Sequence, residues 1–192
     1  MLTDKRIEEI LTDSGALLTG HFLLTSGRHS DKYMQCARIL QSPAYAVELV
    51  SHLAAAFADD AVDIVISPAV GGIVIGYELA RQLGVTGLFA ERENGTMVLR
   101  RGFEIPKGAR VVVAEDVITT GGSVQEVIDI VKKSGGVLVG VGVLVDRSGG
   151  TIDFGAKTVA AYTANISSYA PEECPICAAG DLPLVKPGSR SL

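Results

Sequence analysis

The segment VVVAEDVITTGGS, residues 111–123, decides how the rest of the chain is interpreted. Its three valines predict a buried strand, and two adjacent carboxylates, Glu115 and Asp116, follow directly. The next residues, TTGGS at 119–123, are typical of a turn that binds phosphate through backbone amides and hydroxyls at a helix amino terminus. Because carboxylates repel phosphate, the segment requires a ligand with an anionic end and a separate hydroxyl-bearing edge.

A ribose 5-phosphate satisfies both halves of this segment. Its phosphate would lie in Thr119–Ser123, and its ring hydroxyls would donate hydrogen bonds to Glu115 and Asp116. The two carboxylates would also favour positive charge developing on the ring during substitution at the anomeric carbon. Walker and dinucleotide loops do not fit, because the turn contains no lysine and the chain has no GxGxxG. The alternative is a solvated turn and helix cap, which the strand and the following helix in register disfavour.

Composition limits the remaining possibilities. The chain has 192 residues, of which 47% are hydrophobic, and its net charge is −5. This predicts one domain with a sizeable core and argues against a nucleic-acid protein with a broad basic surface. The amino terminus, MLTDKRIEEILTDSG, resembles neither a signal peptide nor a membrane span, and three cysteines are too few for a disulfide framework. We therefore expect a cytoplasmic protein that does not bind membranes.

Alternating strand and helix patterns predict an α/β fold, in which helices cover both faces of a mostly parallel central sheet. Predicted strands span 62–67, 86–92, 110–116, 137–147 and 157–163, with helices at 73–84 and 123–135. Thr3 or Asp4 is expected to cap an earlier helix, and Ser42 with Pro43 to start another. The buried face of the latter helix is predicted to contain Val47, Val50, Leu53, Ala54 and Phe57.

The predicted organisation is a single domain over residues 1–192. Residues 1–40 contain short strand-like segments and would form a small hood, residues 41–165 the core, and residues 166–192 a carboxyl-terminal tail. The last part, PLVKPGSRSL, is polar and rich in Pro, Gly and Ser, so we expect it to be loosely held.

Other segments carry a family resemblance over nearly the whole chain. They are GHFLLTSGRHSDKYMQCARIL (20–40), SPAVGGIVIGYELARQLGV (67–85), ERENGTMVLRRGFEI (91–105), VDR (145–147) and CPICAAGDLPLVKPGSR (174–190). With the strand, acid pair and loop of 111–123, they resemble the type I phosphoribosyltransferases, and among these the orotate phosphoribosyltransferase family.

The resemblance implies a fold, a reaction and an assembly. The fold would be that of the type I phosphoribosyltransferases, with a hood at the amino terminus. The reaction would join orotate to the ribose of phosphoribosyl diphosphate with Mg²⁺, giving orotidine 5′-monophosphate and diphosphate in de novo pyrimidine synthesis. The family is typically a homodimer whose active sites share a mobile loop.

The resemblance also implies roles for individual residues. Glu115, Asp116 and Arg92 would be catalytic, and Thr119 and Arg147 would contact orotate. Phosphoribosyl diphosphate would be bound by Val70, Gly71, Arg92, Glu115, Asp116, Val117, Ile118, Thr119, Thr120, Gly121, Gly122 and Ser123.

The residues themselves support some of these roles. Arg147 follows a predicted strand, and a guanidinium matches a carboxylate such as that of orotate by two parallel hydrogen bonds. The alternative for Arg147 is a surface side chain paired with Asp146. Ala69–Gly72 matches the family's diphosphate loop, where small residues permit close backbone approach and sometimes an unusual peptide geometry. Its alternative is an ordinary turn between a strand and a helix.

Three arginines, Arg92, Arg100 and Arg101, lie in or beside the segment that matches the mobile loop. Their charge suits a departing diphosphate, and the alternative is a solvated hairpin with basic side chains. Many family members carry lysines and a histidine in this loop, and lysines at the positions of Thr25 and Gly71. The chain therefore resembles a shorter-loop subgroup, in which arginine and metal would assist the leaving diphosphate.

Cys174 and Cys177 form a C-x-x-C pair that could provide two zinc ligands. A structural zinc site normally needs four, and only Cys36 and the histidines remain as candidates unless two subunits share a site. We therefore interpret the pair as reduced structural thiols and assign no residue as a direct metal ligand. His21 and His29 lie in the hood, where packing or exposure is expected.

Two other functions compete with the transferase. A regulatory protein could keep the nucleotide cradle and lose catalysis, and a related transferase could use a purine base. Intact Glu115, Asp116 and Arg147 and an acidic charge balance favour the enzyme, and the orotate-like hood and tail disfavour a purine substrate.

Overall fold

A computed structural model describes residues 2–24, 26–164 and 166–187. Two expectations concern residues outside these ranges. The first concerns Thr25, where many family members have a lysine. The second concerns residues 188–192, the end of the tail that the sequence predicts to be loosely held.

The amino-terminal region forms a small layer apart from the main sheet. Helix α1 (Asp4–Asp13) is capped by Thr3, whose hydroxyl accepts a hydrogen bond from the Arg6 amide at 3.3 Å. Strands β1 (Leu17–Leu23) and β2 (His29–Met34) pair antiparallel as a separate hairpin, followed by α2 (Ala37–Leu40). We refer to residues 2–40, where described, as the hood.

Helix α3 (Pro43–Phe57) begins where Ser42 and Pro43 predicted, but one residue of its predicted buried face is wrong. Val47 is 42% exposed, whereas the other four predicted residues are buried. The buried face also contains Ala46 and Leu49. The buried stripe of α3 therefore runs through Ala46 and Leu49, and Val47 lies at the margin of that stripe.

The main sheet has six strands in the order β5-β4-β3-β6-β7-β8. Their bounds are β3 (Ile64–Pro68), β4 (Thr86–Glu93), β5 (Thr96–Leu99), β6 (Arg110–Ile118), β7 (Val137–Asp146) and β8 (Lys157–Thr163). Every neighbouring pair is parallel except β4 and β5. Strand β5 lies inside the segment that the sequence assigns to a mobile loop, so this segment is an antiparallel hairpin in the structure.

Helices cover both faces of the sheet, as the near-continuous apolar strands predicted. Helix α4 (Gly72–Leu83) connects β3 to β4, and α5 (Gly122–Lys133) connects β6 to β7. On β6, Val112 packs into the cluster that contains residues of α3 and α4, whereas Val113 packs into the cluster that contains α5. Successive strand residues thus enter opposite cores, which is why the strands show little polar alternation.

Gly140 on β7 lies where two neighbours leave no room for a side chain. A Cβ there would lie 2.6 Å from the Lys157 carbonyl oxygen and 2.6 Å from Phe57 Cε1. We expect Gly140→Ala to reduce the free energy of unfolding by about 1–3 kcal/mol, measured by urea denaturation, because β7 and α3 must move apart. Gly142→Ala is the control on the same strand, where the nearest contact would be 3.3 Å. Equal losses in the two variants would contradict this explanation.

Beyond the sheet, a 3-10 turn (Pro171–Glu173) leads into a short helix, α6 (Pro175–Ala179). The segment after it returns to the hood, where Val185 bridges to Phe22. Across the described ranges, the helices are too short or too polar for any to cross a membrane.

Candidate functional site

The site lies where the connections from β3 and β6 run in opposite directions. Strand β3 pairs with β4 on one side and with β6 on the other, so a crevice opens beyond the carboxyl ends of β3 and β6. A Cβ added at Gly71 would lie 2.9 Å from Asp116 Oδ2, and one at Gly72 would lie 3.0 Å from Glu115 Oε1. The loop after β3 therefore contacts the acid pair closely, which the absence of side chains at Gly71 and Gly72 permits. The Ala69–Val70 peptide in this loop is cis.

A pocket of about 240 Å³ lies at this edge of the sheet. It is lined by Arg92, Glu115, Val117, Ile118, Thr119, Thr120, Gly121, Gly122, Ser123, Val124 and Glu126. The structure therefore brings Arg92 together with most of the predicted phosphoribosyl segment. Val70, Gly71, Asp116 and Arg147 do not line this pocket.

The loop after β6 has the backbone that a phosphate cradle needs. Gly121 adopts φ +76°, and a Cβ there would lie 2.9 Å from the ring of Phe154. Only glycine combines that conformation with that contact. Helix α5 then begins at Gly122, and the first amides of a helix have no partner within it. These amides, with the hydroxyls of Thr119 and Thr120, line the pocket and can bind an anion.

The two acidic residues occupy different environments. Glu115 is only 7% exposed, and burial, followed by the adjacent charge of Asp116, raises its pKa to about 8. The Asp116 amide donates to Glu115 Oε1 at 3.1 Å, and the Val117 amide donates to Asp116 Oδ1 at 2.9 Å. At neutral pH Glu115 therefore holds a proton beside Asp116, a distinction between the two carboxyls that the sequence alone did not indicate.

The raised pKa of Glu115 predicts a pH-dependent effect on stability. Between pH 4.5 and about 8 the folded chain keeps a proton that the unfolded chain releases, so the free energy of unfolding falls as pH rises through this window. Glu115→Gln removes the titration and keeps the shape of the neutral side chain. We expect the melting temperature of the variant, relative to that of the native chain, to increase as pH rises from 5 to about 9.

The control for this prediction is Glu104→Gln, which changes an exposed carboxyl elsewhere. Melting curves recorded every half pH unit would measure the difference. Parallel curves for the native chain and Glu115→Gln across the whole range would show that Glu115 does not hold a proton in the folded state.

Arg147 lies at the end of β7, beside the end of β6. Its amide donates to the Ile118 carbonyl at 2.9 Å. The Asp146 carboxylate accepts hydrogen bonds from the amides of Ser148 and Gly150, at 2.7 and 2.9 Å. Among the described residues no ion pair joins Arg147 to Asp146, so the alternative of a surface pair is not observed.

Cys36 is influenced by the charges of both Arg147 and the acid pair, which indicates that these groups lie near one another. Burial and then the charge of Asp116 raise the pKa of the Cys36 thiol to about 12, and the charge of Arg147 opposes them. Both charged groups therefore lie near the same buried thiol. An anionic substrate next to the acid pair would be within the field of Arg147.

The arginines of the β4–β5 hairpin are paired with glutamates. Arg92 lines the pocket, donates to the Gly95 carbonyl at 2.8 Å and forms an ion pair with Glu126 at 2.8 Å. The sequence analysis missed Glu126, which faces the pocket from near the start of α5. Its only signal was its position three residues after the phosphate loop.

The other two arginines lie away from the pocket lining. Arg101 pairs with Glu91 at 2.8 Å and lies over the ring of Phe89, and Arg100 pairs with Glu93 at 3.3 Å. The side chain of Arg101 lowers the pKa of Glu91 through a direct hydrogen bond. The alternative interpretation, a solvated hairpin, therefore describes Arg100 and Arg101, whereas Arg92 lines the pocket.

Four side chains of types that can ligate a metal meet between the hood hairpin and the tail. His21, His29, Cys174 and Cys177 each place one ligand atom within 4.8 Å of all the others. From the sequence, the two cysteines are interpreted as structural thiols because a zinc site needs four ligands and only two are evident. His21 and His29 bring the number of candidate ligands to four. The spacing of residues along the chain could not reveal this, because the tail reaches the hood only in the folded protein.

Comparison with known proteins agrees with this geometry. Residues 37–160 match the model of the phosphoribosyl transferase domain. The chain is 59% identical over 191 residues to orotate phosphoribosyltransferase of Pelotomaculum thermopropionicum, covering 100% of both chains. It is 55% identical over 188 residues to orotate phosphoribosyltransferase of Desulforamulus reducens, covering 98% of both.

A solved structure is similar as well. The crystal structure of orotate phosphoribosyltransferase from Aeropyrum pernix superposes with a TM-score of 0.67 at 31% identity, covering 82% of this chain and 93% of that one. The range matched by the family model, residues 37–160, includes the acid pair and the loop. The chain belongs to the phosphoribosyltransferase family and, within it, to the orotate phosphoribosyltransferases.

Proposed function

We propose that this protein transfers ribose 5-phosphate from phosphoribosyl diphosphate to orotate, releasing diphosphate and forming orotidine 5′-monophosphate for pyrimidine synthesis. One observation carries the proposal: the buried Glu115 and a glycine-rich anion loop line one pocket, with the Asp116 carboxylate next in sequence, in a chain related to orotate phosphoribosyltransferases along its full length. The hood, core and tail act together as one domain, and the reaction takes place in the cytoplasm.

Each part of the donor has a matching part of the site. The 5-phosphate binds the amides and hydroxyls of Thr119–Ser123, and the ribose lies over the acid pair. Because Glu115 is protonated, it donates a hydrogen bond to one ribose hydroxyl, while the Asp116 carboxylate accepts one from the other. The diphosphate lies along Val70 and Gly71, within reach of Arg92.

The acceptor binds next to the anomeric carbon. The orotate carboxylate pairs with Arg147, and the Thr119 hydroxyl contacts the base. As a ring nitrogen of orotate forms a bond to the anomeric carbon, the bond from that carbon to diphosphate oxygen breaks. Positive charge develops on the ribose, and the Asp116 carboxylate stabilises it at short range in a partly buried setting.

Mg²⁺ fits the donor atoms of this site. Hard oxygen ligands suit it, and it usually binds through one or two carboxylates together with substrate phosphates. Of the two acids, Asp116 would provide a carboxylate, and the diphosphate and ribose would provide the other oxygens. When bound, the ion would neutralise charge on the leaving diphosphate.

A second copy of the chain is the proposed partner. Val70, just before α4, is 82% exposed, and Val74 and Tyr77 in the first turns of α4 are 47% and 71% exposed. Such an apolar stripe beside the diphosphate loop fits a homodimer interface that adjoins the active site. Sedimentation equilibrium should give twice the chain mass at assay concentrations, and a monomer with full activity would contradict this.

The direct test mixes the protein with orotate, phosphoribosyl diphosphate and Mg²⁺ and follows the absorbance of orotate. We expect absorbance to fall only when all three are present. Tight nucleotide binding without turnover would instead support a regulatory protein, and turnover of adenine with no turnover of orotate would support a purine transferase.

A further inference from the structure

The histidine–cysteine cluster joins two parts of the chain that are distant in sequence. His21 lies on β1 and His29 on β2, whereas Cys174 precedes α6 and Cys177 lies within it. Three of the four side chains are buried, and Cys177 faces solvent. The proposed transfer reaction uses none of them, so the cluster needs a separate explanation.

The distances within the cluster match those of a tetrahedral metal site. His21 Nε2 lies 3.5 Å from the sulfurs of both Cys174 and Cys177, and His29 Nδ1 lies 3.2 Å from Cys177 Sγ. The two ring nitrogens are 3.0 Å apart. Zinc bonded to two thiolates and two imidazoles places its ligand atoms roughly 3.3–3.8 Å apart, as its bond lengths and tetrahedral angles require. Small adjustments would therefore admit the ion.

A hydrogen bond fixes the ring of His21 in the form that a metal requires. His21 Nδ1 lies 3.2 Å from the Leu182 carbonyl oxygen, which can only accept, so Nδ1 carries the proton. Nε2 then presents its lone pair to the centre of the cluster. Imidazole ligands of metals commonly donate their other nitrogen to a carbonyl in this way, which orients the ring.

The surrounding structure would benefit from a cross-link at this point. The hood hairpin has only two strands, and α6 has five residues, none of them buried. Two-stranded hairpins and helices of this length are marginal by themselves. Besides packing, hydrogen bonds hold the tail to the hood. Backbone bonds join His29 to Tyr169 and Val185 to His21, and side chains of Arg28 and Ser30 donate to Ser168 and Ser167.

We propose that His21 Nε2, His29 Nδ1, Cys174 Sγ and Cys177 Sγ bind one structural Zn²⁺ that fastens the tail to the hood. Binding displaces one proton from each thiol, and the resulting thiolates with two neutral imidazoles balance the charge of the ion. Four protein ligands leave no open coordination position, which distinguishes a structural site from a catalytic one. The role of this ion is therefore separate from that of Mg²⁺ in the transfer reaction.

The chain offers matched controls, because it has three cysteines and three histidines, one of each outside the cluster. Zinc would be measured by elemental analysis of full-length protein expressed with zinc and freed of loose metal by gel filtration. We expect about one zinc per chain in the native protein, in Cys36→Ala and in His52→Gln. Cys177→Ser and His29→Asn should retain less than about a tenth of that amount.

Loss of zinc should also lower stability. A strong chelator should reduce the melting temperature of the native protein and of His52→Gln, and readdition of Zn²⁺ should restore it. Cys177→Ser should melt at the lower temperature with or without the chelator. If the native chain contains zinc but Cys36→Ala and His52→Gln lose it as fully as Cys177→Ser does, the assignment of ligands is wrong.

Cobalt gives a readout that needs no variant. Native protein stripped of metal and then titrated with Co²⁺ should show the visible absorption of a tetrahedral ion and a sulfur-to-cobalt charge-transfer band, saturating at one equivalent. A cluster held only by hydrogen bonds would show neither band. A Cys174–Cys177 disulfide, seen as resistance to alkylation until a reductant is added, would also overturn the proposal.

Discussion

Asp116→Asn is expected to lower kcat by about 100- to 1,000-fold, while KM for phosphoribosyl diphosphate changes by less than about threefold. The substitution preserves the size of the side chain, so the close contact with Gly71 is kept. Asn Oδ1 can still accept the hydrogen bond from the Val117 amide. What the variant loses is the negative charge, which matters most when the ribose becomes positive in the transition state. Binding of the uncharged ribose ring depends on it much less.

Steady-state kinetics with both substrates varied would measure this effect. Glu115→Gln is the matched control, because Glu115 is already neutral near pH 7 and the variant therefore removes no charge there. We expect Glu115→Gln to reduce kcat by no more than about tenfold, from altered hydrogen bonding to the ribose. If both variants lose kcat equally, or if Asp116→Asn raises KM as much as it lowers kcat, charge stabilisation by Asp116 is wrong.

Arg147→Ala is expected to raise KM for orotate by about 10- to 100-fold, with a much smaller change in KM for phosphoribosyl diphosphate. The guanidinium would pair with the orotate carboxylate, and its loss leaves that charge without a partner in a partly enclosed site. The backbone of Arg147 donates to the Ile118 carbonyl through its amide, so truncating the side chain leaves the strand ends in place.

Arg147→Lys separates charge from geometry in the same assay. Lysine keeps the positive charge but not the two parallel donors, so an intermediate rise in KM for orotate is expected. Arg100→Ala is the control for a general loss of positive charge, since Arg100 pairs with Glu93 outside the pocket lining. Unchanged saturation by orotate in Arg147→Ala would contradict the carboxylate contact.

Local sequence determined the elements and the chemistry at their ends. The strand predicted at 110–116, which extends to 118 in the structure, could be recognised because apolar, β-branched runs bury on both faces of a parallel sheet. The acid pair lies near the end of this strand and the loop at 119–123 follows it directly, so their common location required no knowledge of the rest of the fold. The family resemblance extended this to Arg92 and Arg147 through short motifs elsewhere in the chain.

Tertiary structure alone decided the properties that depend on neighbours distant in sequence. The packing of the β3 loop against Asp116, the burial that keeps Glu115 protonated and the pairing of Arg92 with Glu126 all arise between separate elements. The same holds for the meeting of two hood histidines with two tail cysteines. Periodicity reports which face of an element is buried, whereas these contacts depend on the path of the chain between elements, which no local pattern encodes.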